Sequence, residues 1–156
     1  KKLMNIKLLN LSNKTKNIID LFYIEAGKSN IIIDYNIEPN IEYKMQKWDY
    51  SQLLQNLMSN AIKYNKKNGK VSINLTRSDK DIILEVSDTG IGIEKDKIKY
   101  IFERFYRCDT SRSKEVQGSG LGLSIVKELI SNMGATVEVE SELNRGTKFK
   151  ICFKEK

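Results

Sequence analysis

The sequence predicts an α+β fold, a two-layer α/β sandwich with one mostly antiparallel sheet covered by helices on one face. Two observations carry this. Alternating apolar runs come in neighbouring pairs, Val71–Arg77 with Ile82–Asp88 and Val137–Glu140 with Phe149–Phe153, each pair joined by a polar turn. A helical apolar stripe precedes the first pair, over 50–64, and another separates the two pairs, over 121–133.

In chain order, residues 1–14 are apolar and basic and read as the tail of an upstream helix or a linker; the globular unit is then 15–156. Residues 15–27 read as a helix stopped at Gly27, and 31–35 as a strand. In the next helix Tyr50, Leu53, Leu54, Leu57, Met58 and Ala61 recur at helical spacing, with Asp49 as expected N-cap and Gln52 completing a capping box. A short helix fits 94–101. The polar, aperiodic stretch 106–119 reads as a long mobile loop. The last helix carries Ile125, Val126, Leu129, Ile130 and Met133 on one stripe, and Asn144-Arg145-Gly146 is a turn between the final strands.

The chain has 156 residues, enough for one domain with a core, and starts on Lys1, so it reads as a segment of a longer chain. It contains no 18-residue apolar run. Its net charge of +7 is spread without interleaved aromatics, which argues for a solvated basic surface and against a nucleic-acid platform. There is no histidine, and Cys108 and Cys152 lie far apart, so neither a zinc cluster nor a histidine-based catalytic group can be assembled.

Three stretches carry chemistry. Asn56, Asn60 and Lys63 are spaced i, i+4, i+7 and share about 60° of helix arc beside the apolar stripe. Asparagine is a poor helix former, and its amide oxygen is a hard neutral ligand suited to Mg²⁺. In DTGIGI, residues 88–93, Asp88 continues the core-facing row Ile82, Leu84, Val86 and so puts a carboxylate where apolar groups belong. Gly90 and Gly92 clear space for a flat ligand to approach the backbone. An ionised Asp favours the adenine amine over the guanine carbonyl. Lastly Gly118, Gly120 and Gly122 open a helix, as backbone amides facing an anion do. The residues before them form a charged loop, not a strand, which excludes the dinucleotide-binding fingerprint, and the P-loop pattern is absent.

The order of these stretches resembles the ATP-binding catalytic domain of sensor histidine kinases, within the superfamily that includes gyrase, Hsp90 and MutL. QNLMSNAIKY is similar to the family's N box, DTGIGI to its G1 box, IFERFYR to its F box, GSGLGLSIV to its G2 box and Gly146-Thr147-Lys148-Phe149 to its closing GTxF. The likeness spans Ile18 to Phe153. It implies a Bergerat-type fold and a Mg²⁺ ion held by Asn60, with Asn56 beside it. It also implies that Lys63 and Arg107 reach phosphates, Tyr64 packs on adenine and Asp88 binds its amine. Gly90, Gly92, Ile93, Gly118, Gly120, Leu121 and Gly122 shape the nucleotide site. Strand parity with Phe149 and Ile151 turns Thr147 toward the same floor. Phe102 and Phe105 are expected to anchor the loop. Gln46, Asp49 and the Asn132–Ala135 stretch depart from the family pattern, without removing a proposed ligand.

The superfamily's hydrolases have a glutamate where Asn56 stands, and asparagine cannot act as a general base near neutral pH. The resemblance therefore implies a kinase, catalytic residues Asn56, Lys63 and Arg107, using ATP and Mg²⁺. The γ-phosphoryl acceptor would be a histidine on a separate dimerisation domain, for onward transfer to a response regulator. The full-length protein would be a membrane-anchored homodimeric sensor with this domain in the cytoplasm. A nucleotide-binding regulatory module, or a serine kinase or ATPase of the superfamily, is the alternative.

Overall fold

The computed structural model describes residues 5–104, 106 and 122–154. The elements are β1 (Ile6–Asn10), α1 (Leu11–Asp20), α2 (Tyr23–Gly27), β2 (Ile32–Ile37), β3 (Glu42–Gln46), α3 (Asp49–Lys63), β4 (Lys70–Ser78), β5 (Asp81–Asp88), a 3₁₀ turn (Lys95–Tyr100), α4 (Gly122–Asn132), β6 (Thr136–Glu142) and β7 (Gly146–Phe153). The main sheet runs β2-β4-β5-β7-β6, and β1 with β3 forms a separate two-stranded sheet. Every pairing is antiparallel except β2 with β4. This is the expected α+β sandwich.

α3 is the centre of the helical layer, in contact with α1, α4, β3 and β5. Its stripe, Tyr50, Leu53, Leu54, Leu57, Met58, Ala61 and Ile62, is buried. Each large side chain on it contributes about 1.5–3 kcal/mol by leaving water. The sheet answers with Ile73, Leu75, Ile82, Leu84, Val86, Ile151 and Phe153, all at most 1% exposed. Phe153 meets the rings of Tyr43 and Tyr50 at 5.6 and 6.1 Å. The buried Tyr50 hydroxyl lies 2.6 Å from Thr15 Oγ1, which donates to the Leu11 carbonyl at 2.7 Å. Thr15 has then spent its proton, so Tyr50 is the donor between them, and α1 is tied to α3. Burial pushes that phenol above its ordinary pKa, which keeps it protonated.

The N-terminal region departs from the expectation. Residues 6–10 are a strand, not the tail of a helix: Ile6 pairs with Gln46 and Asn10 with Glu42. Asn10 then caps α1, its Oδ1 accepting from Asn13 N–H at 3.0 Å, so the helix starts before residue 15. The single helix expected over 15–27 breaks after Asp20 and resumes at Tyr23. Asp49 is not an N-cap. It is the first residue of α3, Trp48 takes the cap position without a side-chain cap bond, and the Trp48 carbonyl accepts from Gln52 N–H. As an acid in the first turn, Asp49 still complements the helix dipole. β3 has no counterpart among the expected strands.

Candidate functional site

The sheet register builds the site. On the helix-facing side, Leu84, Ile151 and Val137 form one cross-strand row, and Val86, Phe149 and Val139 the next. One step further, the row becomes polar: Asp88 ends β5 beside Val71 of β4, the Thr147 backbone N–H donates to the Asp88 carboxylate, and Thr147 pairs with Ser141. The hydrophobic floor thus ends in a carboxylate and two hydroxyls, on the parity that the sequence indicates.

Asp88 is half-buried. Burial pushes its carboxyl up to about 6, against the opposing effect of backbone N–H donors from Gly90 and Thr147. The Gly90 bond is 2.8 Å, an Asx-type turn that starts the DTGIGI loop. The loop is fixed on both sides. Toward α3, Ile91 N–H donates to the Tyr64 carbonyl, and Thr89 Oγ1 lies 3.0 Å from Asn65 Oδ1, with Asn65 Nδ2 on the Lys70 carbonyl. Toward the β6–β7 turn, Asn144 N–H donates to the Ile91 carbonyl and Ile93 N–H to Ser141 Oγ at 2.8 Å.

The loop glycines answer to the protein's own backbone. A Cβ on Gly90 would stand 2.3 Å from the Tyr64 carbonyl oxygen. Gly92 has φ +72° and a Cβ there would stand 2.0 Å from the Glu142 carbonyl oxygen. Space for a flat ligand, the reason read from sequence, is not what these contacts display. Gly146, at φ +116°, lies against the Asp88 carbonyl in the same way, 1.9 Å from a notional Cβ.

The α3 stripe is differently placed. Asn56 and Asn60 are half-buried and Lys63 is exposed. Asn56 Nδ2 donates to the Gln52 carbonyl at 3.0 Å. A carbonyl only accepts, so it is the amide nitrogen of Asn56 that faces Gln52, and the oxygen points away from that carbonyl. Asn60 Oδ1 faces the start of α4, 3.9 Å from a notional Cβ on Gly122. Tyr64 follows at the helix end. Phe102 meets the Phe149 ring edge-on at 6.3 Å, the core contact expected of it. Phe105, Arg107, Gly118, Gly120 and Leu121, and the 106–119 loop apart from Tyr106, lie outside the described residues.

Sequence reasoning missed Ser141, Asn65 and Thr89. Ser141 was accessible: counting back across the turn signature at 144–146 sets it opposite Thr147.

The fold is thus an α+β sandwich whose sheet ends in a half-buried carboxylate, near a helix that carries two half-buried asparagines beside its core stripe. Residues 47–156 match the family of histidine kinase-, DNA gyrase B-, and HSP90-like ATPases, and the chain belongs to that family. It is 44% identical over 114 residues, 73% of its length, to the signal transduction histidine-protein kinase ArlS of Staphylococcus aureus. It spans 25% of that relative's length. Among solved structures, the nucleotide-free catalytic domain of histidine kinase ThkA superposes with TM-score 0.83 at 25% identity, over 97% of both chains. Full-length ShkA in complex with AMPPNP gives 0.81 at 27% identity, over 99% of this chain and 32% of that one. The mycobacterial sensor histidine kinase MprB gives 0.84 at 24% identity, over 95% and 97%, a likeness of fold. Among the described residues no helix is long and apolar enough to cross a membrane.

Proposed function

We propose that the chain is the catalytic, Mg-ATP-binding domain of a sensor histidine kinase, which transfers the γ-phosphoryl group to a histidine on a separate dimerisation domain. The feature that carries this is an amide, Asn56, at the helix position where the superfamily's hydrolases have a glutamate, its nitrogen held by the Gln52 carbonyl. No carboxylate at that position can activate water, so the γ-phosphoryl group is preserved for a protein acceptor. The likeness to ArlS over most of the chain supports the histidine-kinase branch. The nucleotide analogue in the ShkA neighbour supports ATP as the ligand.

Asp88 accepts from the adenine amine, Thr147 flanks it and Tyr64 packs on the ring. Gly90, Gly92 and Ile93 hold the loop that frames the base. Asn60 ligates Mg²⁺ through its amide oxygen with Asn56 beside it, and Lys63 and Arg107 neutralise phosphate. Gly118, Gly120, Leu121 and Gly122 present amides to the phosphates. The residues fit such a metal through a neutral oxygen: the half-buried Asn60 Oδ1 faces the start of α4, 3.9 Å from a notional Cβ on Gly122. Mg²⁺ is commonly bound by few protein oxygens, completed by water and substrate phosphates. When bound it shields phosphate charge; the chain positions the nucleotide and leaves the imidazole to attack in line.

The chain itself has no histidine. The acceptor histidine, on a helical hairpin of the dimerisation domain, therefore belongs to another part of the full-length protein, a homodimeric, membrane-anchored sensor with this domain in the cytoplasm, and the phosphoryl group passes on to a response regulator. Mixing this chain with its own hairpin and γ-labelled ATP should label the hairpin in a Mg²⁺-dependent manner, with little phosphate released by the chain alone. Fast hydrolysis without transfer would favour the ATPase branch, and nucleotide binding without either would favour a regulatory module.

A further inference from the structure

We infer that Ser141 is a positioning residue that fixes Thr147 as a hydrogen-bond acceptor and thereby sharpens the choice of purine. The inference rests on the reading that Asp88 and Thr147 meet the edge of the base.

Three groups surround the Ser141 hydroxyl. Ile93 N–H lies 2.8 Å away, the Gly146 carbonyl 3.0 Å and Thr147 Oγ1 2.8 Å. A hydroxyl has one proton and two lone pairs. The Ile93 N–H can only donate, so it takes one lone pair. The Gly146 carbonyl can only accept, so it takes the proton. Thr147 must then donate into the remaining lone pair. This arrangement satisfies all the groups. The reverse one, with Ser141 donating to Thr147, strips the Gly146 carbonyl of this bond. It also leaves the proton of Thr147, a residue only 8% exposed, without that partner.

With its proton committed to Ser141, Thr147 presents lone pairs to the pocket. Its backbone N–H is likewise committed, to Asp88. Carboxylate and hydroxyl oxygens then stand side by side as acceptors on one row. An amine, which brings two protons, suits that pair; a carbonyl oxygen at the same ring position meets two like partners. Adenine and hypoxanthine differ there by this exchange of amine for oxygen. Were Thr147 free to rotate its hydroxyl, it could donate to the oxygen and blunt the distinction. Ser141 removes that freedom from a strand away, without touching the base.

Calorimetric titration with Mg-ATP and with Mg-ITP tests this on the unmodified chain, Ser141→Ala, Thr147→Val and the double variant. The unmodified chain should prefer ATP. Ser141→Ala should lower that preference about fivefold, the weight of one ordinary hydrogen bond, by weakening ATP and strengthening ITP. Thr147→Val should also lower it, and adding Ser141→Ala in that background should move the ratio no further. If Ser141→Ala does not fold, Ser141→Cys keeps the size with a poorer acceptor and should shift the ratio the same way. Equal scaling of both affinities by the Ser141 variant, or an unchanged shift in the Thr147→Val background, overturns the inference. An unmodified chain that discriminates through Asp88 while Ser141→Ala leaves the ratio alone overturns this inference only. Equal affinities for ATP and ITP, or no effect of Asp88→Asn, removes the base-edge reading together with it.

Discussion

The two ends of the candidate site are built on different terms. At the sheet end, Asp88, Gly90, Ile93, Ser141 and Thr147 are joined through side-chain and backbone hydrogen bonds, Ile91 is tied to Tyr64 and Asn144, and the glycines sit where neighbouring backbone leaves no space for a Cβ. On α3, Asn60 and Lys63 occupy a half-buried and an exposed position beside the core stripe, and Asn56 is held by a carbonyl of its own helix. The sheet end, proposed to meet the base, is assembled by folding. The helix proposed to meet the phosphates presents polar groups on a scaffold whose stability comes from its other face. Substitutions should therefore separate: at the first end some destroy the fold, and at the second they remove function and leave the fold.

Asn60→Ala should show this separation with the largest effect. It removes the proposed metal ligand, so transfer to the hairpin should fall by about two orders of magnitude or more, the scale of losing a key charge-stabilising contact. Its unfolding midpoint should stay near that of the unmodified chain. Stopped-time phosphotransfer assays beside denaturant titration read both; a large loss of stability would assign Asn60 to the core.

Gly146→Ala should do the opposite. The strained φ and the 1.9 Å approach to the Asp88 carbonyl oxygen predict a loss of about 2–4 kcal/mol in denaturant unfolding. A stability within error of the unmodified protein would mean that the β5–β7 junction is not tight.

A third contrast sharpens the account within the sheet end. Because the folded pKa of Asp88 lies near 6, above the ordinary 3.8, the folded state holds that proton more tightly than the unfolded chain. Its stabilising contribution is complete below the ordinary value and is lost as pH rises through about 6. In the proposed contact the ionised carboxylate is the stronger acceptor for the adenine amine, so affinity runs the other way. Between pH 7 and pH 5 it should fall roughly tenfold, with a midpoint near 6 in the free protein. Asp88→Asn should flatten that profile. An ATP affinity independent of pH across this range would place the carboxylate outside the recognition.

What the sequence made legible follows from the range of the interactions involved. The polar stripe of α3 and the parity of Asp88 and Thr147 are local periodicities, readable from spacing alone. The partnership of Ser141 with Thr147 depends on a hairpin register, which the turn residues specify but a single-strand reading does not use. β1 and β3 were harder. Ile6 and Leu8 are exposed on β1, so its apolar residues do not mark one buried face, and the pairing that makes 6–10 a strand joins it to 42–46. β3 did carry a signal, Tyr43 and Met45 alternating inward, within a segment otherwise charged. Gly90 and Gly92 were identified by motif, but their physical reason, backbone packed on backbone, needs the tertiary contacts with Tyr64 and Glu142.

The most direct test is calorimetric titration of the chain and of Asp88→Asn with Mg-ATP and Mg-GTP at pH 7.5, with denaturant unfolding of both. The account predicts that the unmodified chain binds ATP in preference to GTP, and that Asp88→Asn weakens ATP at least about tenfold while the unfolding midpoint is retained. Equal affinity for the two nucleotides, or an unaltered ATP affinity in a folded Asp88→Asn variant, would contradict it.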